Sequence, residues 1–338
     1  MPPGPPNPPR RCWRITTEPD DLQEGLFGQA LLWVGEVLPS LARLGVAPQW
    51  DIRSRLYGSG PELRLLPGVL DTVHTPLHAA PPTRSVSLIA LRVRHVSVLG
   101  HDWQALHALW QQFFRVPQRL VDRAESLALP AATLGVHYRG TDKNLQLRDT
   151  NPVSIDDMLS LVAEALDTQP LQALFIATDE HAFVDAALRR FPGVPITNLG
   201  PVPFHKADPP PSGKADRAML DCLLLSRCAR VLKCSSALSG FAKLLNPALD
   251  VQRVAASKSF FGGIPYFPDA YIPPLAGRSA ATRAILARQL AGDWIEDPAL
   301  AARFGRPFVW MPRYTPTQAA VNGLKNVAAR LRGRRRVA

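Results

Sequence analysis

Four side chains that can carry charge or move protons, His137, Arg139, Asp142 and Lys143, fall within seven positions directly behind an apolar run. A strand cannot hide an arginine, an aspartate and a lysine in an apolar core, so these groups must emerge at its end. In a parallel sheet that end opens onto the ligand crevice. A guanidinium there forks onto an anion, and an imidazole accepts or donates a proton. The plain alternative is a surface strand end carrying an Arg–Asp ion pair. Asp221 forms a second centre, because it sits among Leu220, Leu224, Leu225 and Cys228, where an ionised carboxylate needs a compensating donor. The N1–H and N2 amino group of a guanine form such a donor pair, and Arg139 is another. Ser235 and Ser236 follow the apolar run ending at Cys234 and lead into a helix, where hydroxyls and free N–H groups bind phosphate. Taken alone, these two serines read as ordinary N-caps.

Regular alternation of strand and helix patterns must position these groups. Leu134 to Tyr138 reads as a strand, and Ser154 to Asp167 as a helix with Ser154 and Asp157 in a capping box. Leu171 to Ala177, Val194 to Thr197, Val231 to Cys234 and Val251 to Ala255 read as further strands. Glu180 to Arg190, Lys214 to Cys228 and Ser239 to Leu245 read as the helices between them. Five strands and four helices predict a parallel, Rossmann-like sheet of the α/β class. Towards the N-terminus, Gly25-Leu26-Phe27-Gly28 precedes a helical run from Gln29 to Leu44 and a strand from Ala47 to Ile52. A glycine-rich turn opening a helix can approach a phosphate through Gly25 and Gly28, or can simply turn the chain. Arg84 to Leu99 is β-rich, Asp102 to Phe114 is helical, and Pro117 and Pro130 bracket the passage between domains.

Bulk composition sets the remaining bounds. A chain of 338 residues, 46% hydrophobic and 20% charged, predicts two folded domains. Six prolines in residues 1–9 predict an extended arm over 1–12. Neither a secretory signal nor an apolar run of membrane-spanning length is evident, so the expectation is a cytoplasmic protein. Residues 313–338 carry +7 of the net +11, leaving +4 for the rest. Val321, Leu324, Val327, Ala328 and Leu331 recur at helical spacing within this tail, which fits either a basic amphipathic helix on the inner face of an anionic membrane or a solvated charge run. Few aromatics accompany the arginines, which argues against nucleic acid. Cys222, Cys228 and Cys234 are spaced by six, unlike zinc-binding pairs, and read with Cys12 as buried hydrophobes, so no metal is expected.

Three ordered blocks resemble the fucosyltransferase superfamily that includes α-1,6-fucosyltransferases, rhizobial nodulation fucosyltransferases and protein O-fucosyltransferases. His137-Tyr138-Arg139-Gly140-Thr141-Asp142-Lys143 is similar to the family's H-x-R-x-x-D-K. Phe175-Ile176-Ala177-Thr178-Asp179-Glu180 is similar to its apolar strand ending in T-D-[DE]. Leu220 to Cys228 followed by Val231 to Ser236 is similar to its L-D, L-S helix, strand and paired serines. The resemblance covers about residues 131–247, with a fainter echo at Gly25 to Gly28. It implies a GT-B-like fold of two Rossmann-like domains, with an acceptor-side domain over 13–130, a nucleotide-sugar domain over 131–275 and a helical appendage with the basic tail over 276–338. It implies metal-independent, inverting transfer of fucose from GDP-fucose to a glycan acceptor. On this resemblance Arg139 and Ser236, with Ser235, hold the diphosphate, Asp221 and His137 read guanine, and Asp142 and Asp179 orient Arg139, Lys143 and their loop. Two positions depart from the pattern: Gly140 replaces a second arginine, and Leu147 stands where the α-1,6 enzymes have an acid. The general base is then open between Asp149 and Lys143. The rival readings are another nucleotide sugar as donor, a non-catalytic sugar-nucleotide or glycan-binding module, and a peripheral membrane or nucleic-acid binder acting through the tail.

Overall fold

A computed structural model describes residues 11–17, 25–58, 60–66, 68–73, 81–88, 103–140, 153–200, 213–234, 236–254, 259–260 and 264–265. The Pro-rich arm up to residue 10, the appendage expected over 276–338, and Asp142, Lys143, Asp149 and Ser235 lie outside the described residues. The chain divides into two units. One comprises Met1–Val121, Lys206–Met219 and Lys325–Ala338, and the other Asp122–His205 and Leu220–Leu324. No helix among the described residues is long and apolar enough to cross a membrane.

The first unit is built on β1 (Arg11–Thr16), α1 (Leu26–Leu32), a π-helical segment (Trp33–Val37), α2 (Leu38–Arg43), β2 (Val46–Asp51), β3 (Asp71–Thr72), β4 (Arg84–Ser87), α3 (Trp103–Phe113) and β5 (Phe114–Arg115). Strands β2, β1 and β4 form a parallel sheet in that order, and β3 pairs antiparallel with β5. Leu26, Phe27, Ala30 and Leu31 are buried at three- and four-residue spacing, so the helix starts at Leu26 rather than Gln29. Gly28 therefore lies inside α1, not in a turn before it, and Gly25 is the N-cap with extended φ of −75°. Pro39 sits in the first turn of α2, and its missing N–H cannot close the helical ladder behind it. The widened π turn directly precedes that proline. Trp33, Trp50, Trp110 and Phe114 form this unit's aromatic cluster, with ring centroids 4.7–5.4 Å apart. The β-rich run expected from Arg84 to Leu99 contains β4, and residues 89–102 lie outside the described residues.

After α4 (Gln118–Ser126), the second unit alternates β6 (Thr133–Tyr138), α5 (Ile155–Thr168), β7 (Ala173–Thr178), α6 (His181–Arg190), β8 (Ile196–Thr197), α7 (Lys214–Ser226, of which the part from Leu220 onward belongs to this unit), β9 (Arg230–Lys233), α8 (Ala237–Leu245) and β10 (Asp250–Arg253). A two-stranded hairpin of β11 (Ser259–Phe260) and β12 (Ile264–Pro265) follows. The five main strands are parallel in the order β10-β9-β6-β7-β8. The chain builds outward from β6 through β7 to β8, then crosses back to β9 and β10. That reversal makes the gap between β6 and β9 the switch point at which open α/β sheets hold their ligands. Ser154 caps α5 as the capping pattern predicts, its Oγ accepting from Asp157 N–H at 3.0 Å. Strand β8 is only two residues long, against the four read from Val194 to Thr197. Pro195 has no N–H for the ladder, although its carbonyl accepts from Leu174 N–H at 2.9 Å.

The two faces of this sheet differ in chemistry. Leu134, Val136 and Tyr138 of β6 join Leu174, Ile176, Leu232 and Cys234 in one core cluster with Met158, Leu159, Leu161 and Val162 of α5 and Phe183 of α6. Tyr138 stacks on Phe183 with centroids 4.3 Å apart, and its hydroxyl donates to Val153 O at 3.0 Å. The alternate residues of the same strands face the other way: Gly135, His137, Val231 and Lys233. A Cβ on Gly135 would lie 2.9–3.0 Å from Val231, Cys228 and Leu225, so α7 packs directly against the backbone of β6 there. Only a glycine admits this approach without a shift of neighbours.

Candidate active site

His137 ends the inward run of β6 and is buried, with Nδ1 2.8 Å from the Ser239 hydroxyl on α8. Burial, then the nearby charges of Lys233 and Arg139, hold its pKa well below the ordinary imidazole value, so the ring is neutral. Arg139, half-buried, is the first residue beyond the strand. The chain then turns at Gly140, whose N–H donates to Asp179 Oδ1 at 3.1 Å. Asp179 thus fastens the segment that carries Arg139 to the end of β7, and the Thr178 hydroxyl accepts from Glu180 N–H at 3.2 Å in the same turn. A side chain at position 140 would overlap the Glu180 carboxylate and come within 2.9 Å of the Tyr138 ring. Glu180 therefore fills the space that any side chain at 140 would need.

Across the switch point, β9 hands over to α8 through Cys234 and Ser236. Cys234 N–H donates to His137 O at 3.1 Å, which carries the β6–β9 pairing to its last residue. Ser236 is the N-cap residue of the nine-residue α8, yet its side chain makes no capping hydrogen bond. Its hydroxyl is 0% exposed and has no hydrogen-bond partner among the described residues. The N-cap reading of this serine is therefore corrected: with φ −156° and ψ 140° the backbone has cap geometry, but Oγ does not serve the helix. A buried hydroxyl left unpaired costs about 1–3 kcal/mol, so this one is either a defect or a waiting ligand contact.

Asp221 lies in α7 and is 5% exposed. It is one turn from Leu225, which rests on Gly135, and crossover helices run antiparallel to their strands. Asp221 is consequently displaced toward the strands' C-terminal ends. The neighbouring Cys222 thiol donates to Leu238 O at 3.4 Å in the first turn of α8, which joins this part of α7 to the Ser236–Ser239 corner. Burial, then the Asp221 charge, push the Cys222 pKa well above the ordinary thiol value. Burial alone pushes Cys228 up to about 12. All four cysteines are buried and free, and act as small apolar fillers.

Among the residues singled out from sequence, His137, Arg139, Asp179, Asp221 and Ser236 thus belong to one unit. All but Asp221 stand at the C-terminal ends of its strands or just beyond. Gly25 and Gly28 belong to the other unit. Lys233, Ser239 and Glu180 are additional members that the motif reading does not assign. Lys233 is paired with His137 across 96 positions, a pairing no local pattern reveals. At the opposite, N-terminal end of the strands a shallow depression is lined by Ala131, Gln169, Pro170, Ala229, Arg230 and Asp250. Its charged groups are already matched, with Arg230 Nε donating to Asp250 Oδ2 at 2.5 Å.

No protein-family model matches the chain, and no curated protein does. Among solved structures, the chain is similar to NodZ α-1,6-fucosyltransferase co-crystallised with GDP, at 14% identity and a TM-score of 0.44, over 70% of this chain and 93% of that one. A structure of fucosyltransferase NodZ from Bradyrhizobium gives 16% identity and a TM-score of 0.43, over 70% and 94%. POFUT1 in complex with GDP gives 11% and 0.39, over 72% and 99%.

Proposed function

We propose that this chain is a glycosyltransferase that binds GDP-fucose in its second unit and transfers the sugar to a glycan hydroxyl with inversion. The observation that carries this reading is the wholly buried Ser236 hydroxyl at the start of α8, without a hydrogen-bond partner among the described residues and placed at the switch point beside His137. A diphosphate oxygen there accepts from the hydroxyl and from the free N–H groups of the helix start. The His-x-Arg block and the paired serines support the choice of a nucleotide diphosphate over a simple anion. Asp221 supports guanine, because a buried carboxylate accepts from the N1–H and N2 amino edge that uracil lacks.

In the reaction the bond from the anomeric carbon to the β-phosphate oxygen breaks, and GDP leaves with the electron pair. The acceptor oxygen forms the new bond on the opposite face and gives up its proton. Arg139 counters the charge that grows on the leaving phosphate, with Lys143 and the loop of Asp142 beside it in sequence. Asp179 acts through Arg139, by holding the Gly140 backbone. Gly25 and Gly28 belong to the acceptor-side unit in this reading, and the basic tail is a peripheral tether to an anionic surface.

The test is release of GDP from GDP-fucose with a panel of glycan acceptors. Wild-type protein should turn over GDP-fucose, and Arg139→Ala should lower the rate roughly 10²–10³-fold. Tight binding of UDP without binding of GDP would overturn the reading. Binding of GDP-fucose with no turnover on any acceptor would favour a sugar-nucleotide-binding module instead.

A further inference from the structure

Ser239 stands in the first turn of α8, three residues after the N-cap Ser236, and is wholly buried. Its hydroxyl lies 2.8 Å from His137 Nδ1 and 3.4 Å from Ser236 O. Burial, then the charges of Lys233 and Arg139, keep the imidazole neutral, so the ring has one proton to place. With that proton on Nδ1, both contacts of Ser239 are made at once: Nδ1–H donates to Oγ, and the hydroxyl donates onward to Ser236 O. With the proton on Nε2, the single hydroxyl proton must turn to Nδ1, and the carbonyl, which only accepts, loses this donor. The first arrangement uses every group of the chain His137–Ser239–Ser236. It also joins the imidazole to the helix corner at which the Ser236 hydroxyl makes no cap bond.

Which nitrogen of a neutral histidine carries the proton is set by the hydrogen bond that the other one makes. We propose that Ser239 is a positioning residue of the donor site: it holds His137 as the Nδ1–H tautomer, so that Nε2 meets the nucleoside as an acceptor. This rests on the donor-site reading above and adds to it the direction of one hydrogen bond. An Nε2–H would match O6 or N7 of guanine, which are both acceptors. A bare Nε2 rejects these and selects a donor of the nucleoside, its exocyclic amino group or a ribose hydroxyl. His137 and Asp221 then both act as acceptors, and a nucleoside short of donors leaves a buried acceptor unmatched.

The experiment reads the tautomer of His137 by nitrogen chemical shifts in full-length, ¹⁵N-histidine-labelled protein at pH 7.5, and GDP affinity by calorimetry, for wild type and Ser239→Ala. In the wild type the proton should sit on Nδ1. In Ser239→Ala the Nε2–H form should appear and GDP affinity should fall roughly 10-fold, the loss of one well-made hydrogen bond. That loss should vanish when the ligand is IDP, if the donor is the amino group, or 2′,3′-dideoxy-GDP, if it is a ribose hydroxyl. A proton on Nε2 in the wild type, a tautomer unmoved by Ser239→Ala, or a loss that persists with both analogues would overturn the inference. A merely structural role for Ser239 would lower stability without moving the tautomer. Should Ser239→Ala not fold, Ser239→Cys keeps the volume with a far weaker hydrogen bond and is read by the same shifts. Failure of the wild type to bind GDP would sink the donor-site reading, whereas the tautomer is read without ligand, so the two failures are distinct.

Discussion

The two faces of the five-stranded sheet differ more from each other than the strands do among themselves. Toward α5 and α6, the centre of the sheet presents only apolar or aromatic side chains, Leu134, Val136 and Tyr138 of β6 with Leu174, Ile176 and Leu232, and Tyr138 satisfies its hydroxyl on Val153 O. Toward α7 and α8, the same strands present a missing side chain at Gly135, an imidazole at His137 and an ammonium at Lys233. Adjacent residues of one six-residue strand therefore serve opposite ends, because the period of two sends Val136 and Tyr138 to one layer and His137 to the other. The lesson is that stability and chemistry are separated by face rather than by strand, so substitutions on the two faces should separate as well.

The largest effect on stability should come from the apolar face. Phe183→Ala removes a fully buried ring stacked on Tyr138 and should cost about 3–5 kcal/mol in denaturant unfolding. Nucleotide affinity measured well below the melting temperature should be unchanged. A variant of near wild-type stability that no longer bound GDP would break the comparison, because it would put the binding function on the face assigned to packing.

A smaller effect, of a different kind, should come from His137. Its folded pKa lies well below 6.5 while the unfolded chain titrates near 6.5, so below that pH the unfolded state binds the extra proton. Stability is therefore complete above about pH 6.5. It falls by about 1.4 kcal/mol per pH unit as the pH drops toward the folded value, then levels off. His137→Asn removes this dependence. The difference between the two unfolding free energies, followed from pH 7.5 to 5, should slope for that reason, whereas parallel curves would mean that the imidazole titrates alike in the folded and the unfolded chain.

How far the sequence reveals these faces varies by residue. The alternation from Thr133 to Arg253 is legible because parallel strands buried on both faces read as short apolar runs, and because Ser154 announces α5 with its capping hydroxyl. Its edges are less so. Pro195 trims β8, and α8 begins at Ala237, two residues before the Ser239 read from sequence, although Ser239 proves to be the contact of His137. In the first unit the local pattern gives no sign of the π turn before Pro39, and Gly28 reads as a turn residue but is carried inside a helix by the buried stripe around it. At the candidate site the His-x-Arg block and the serines stand out as motifs. Lys233 does not, since a single lysine inside the strand read from Val231 to Cys234 belongs to no motif of its own. Only the long-range register with His137 shows that it is enclosed. The Glu180 carboxylate over Gly140 is equally invisible, because it depends on how two loops 40 positions apart meet.

The most direct measurement is a crystal structure of the full-length protein with GDP bound. The diphosphate should lie at the C-terminal ends of β6 and β9, with an oxygen within hydrogen-bond distance of Ser236 Oγ and the guanine edge on Asp221. A nucleotide seated away from these strand ends, for instance in the depression beside Arg230 and Asp250, would contradict it.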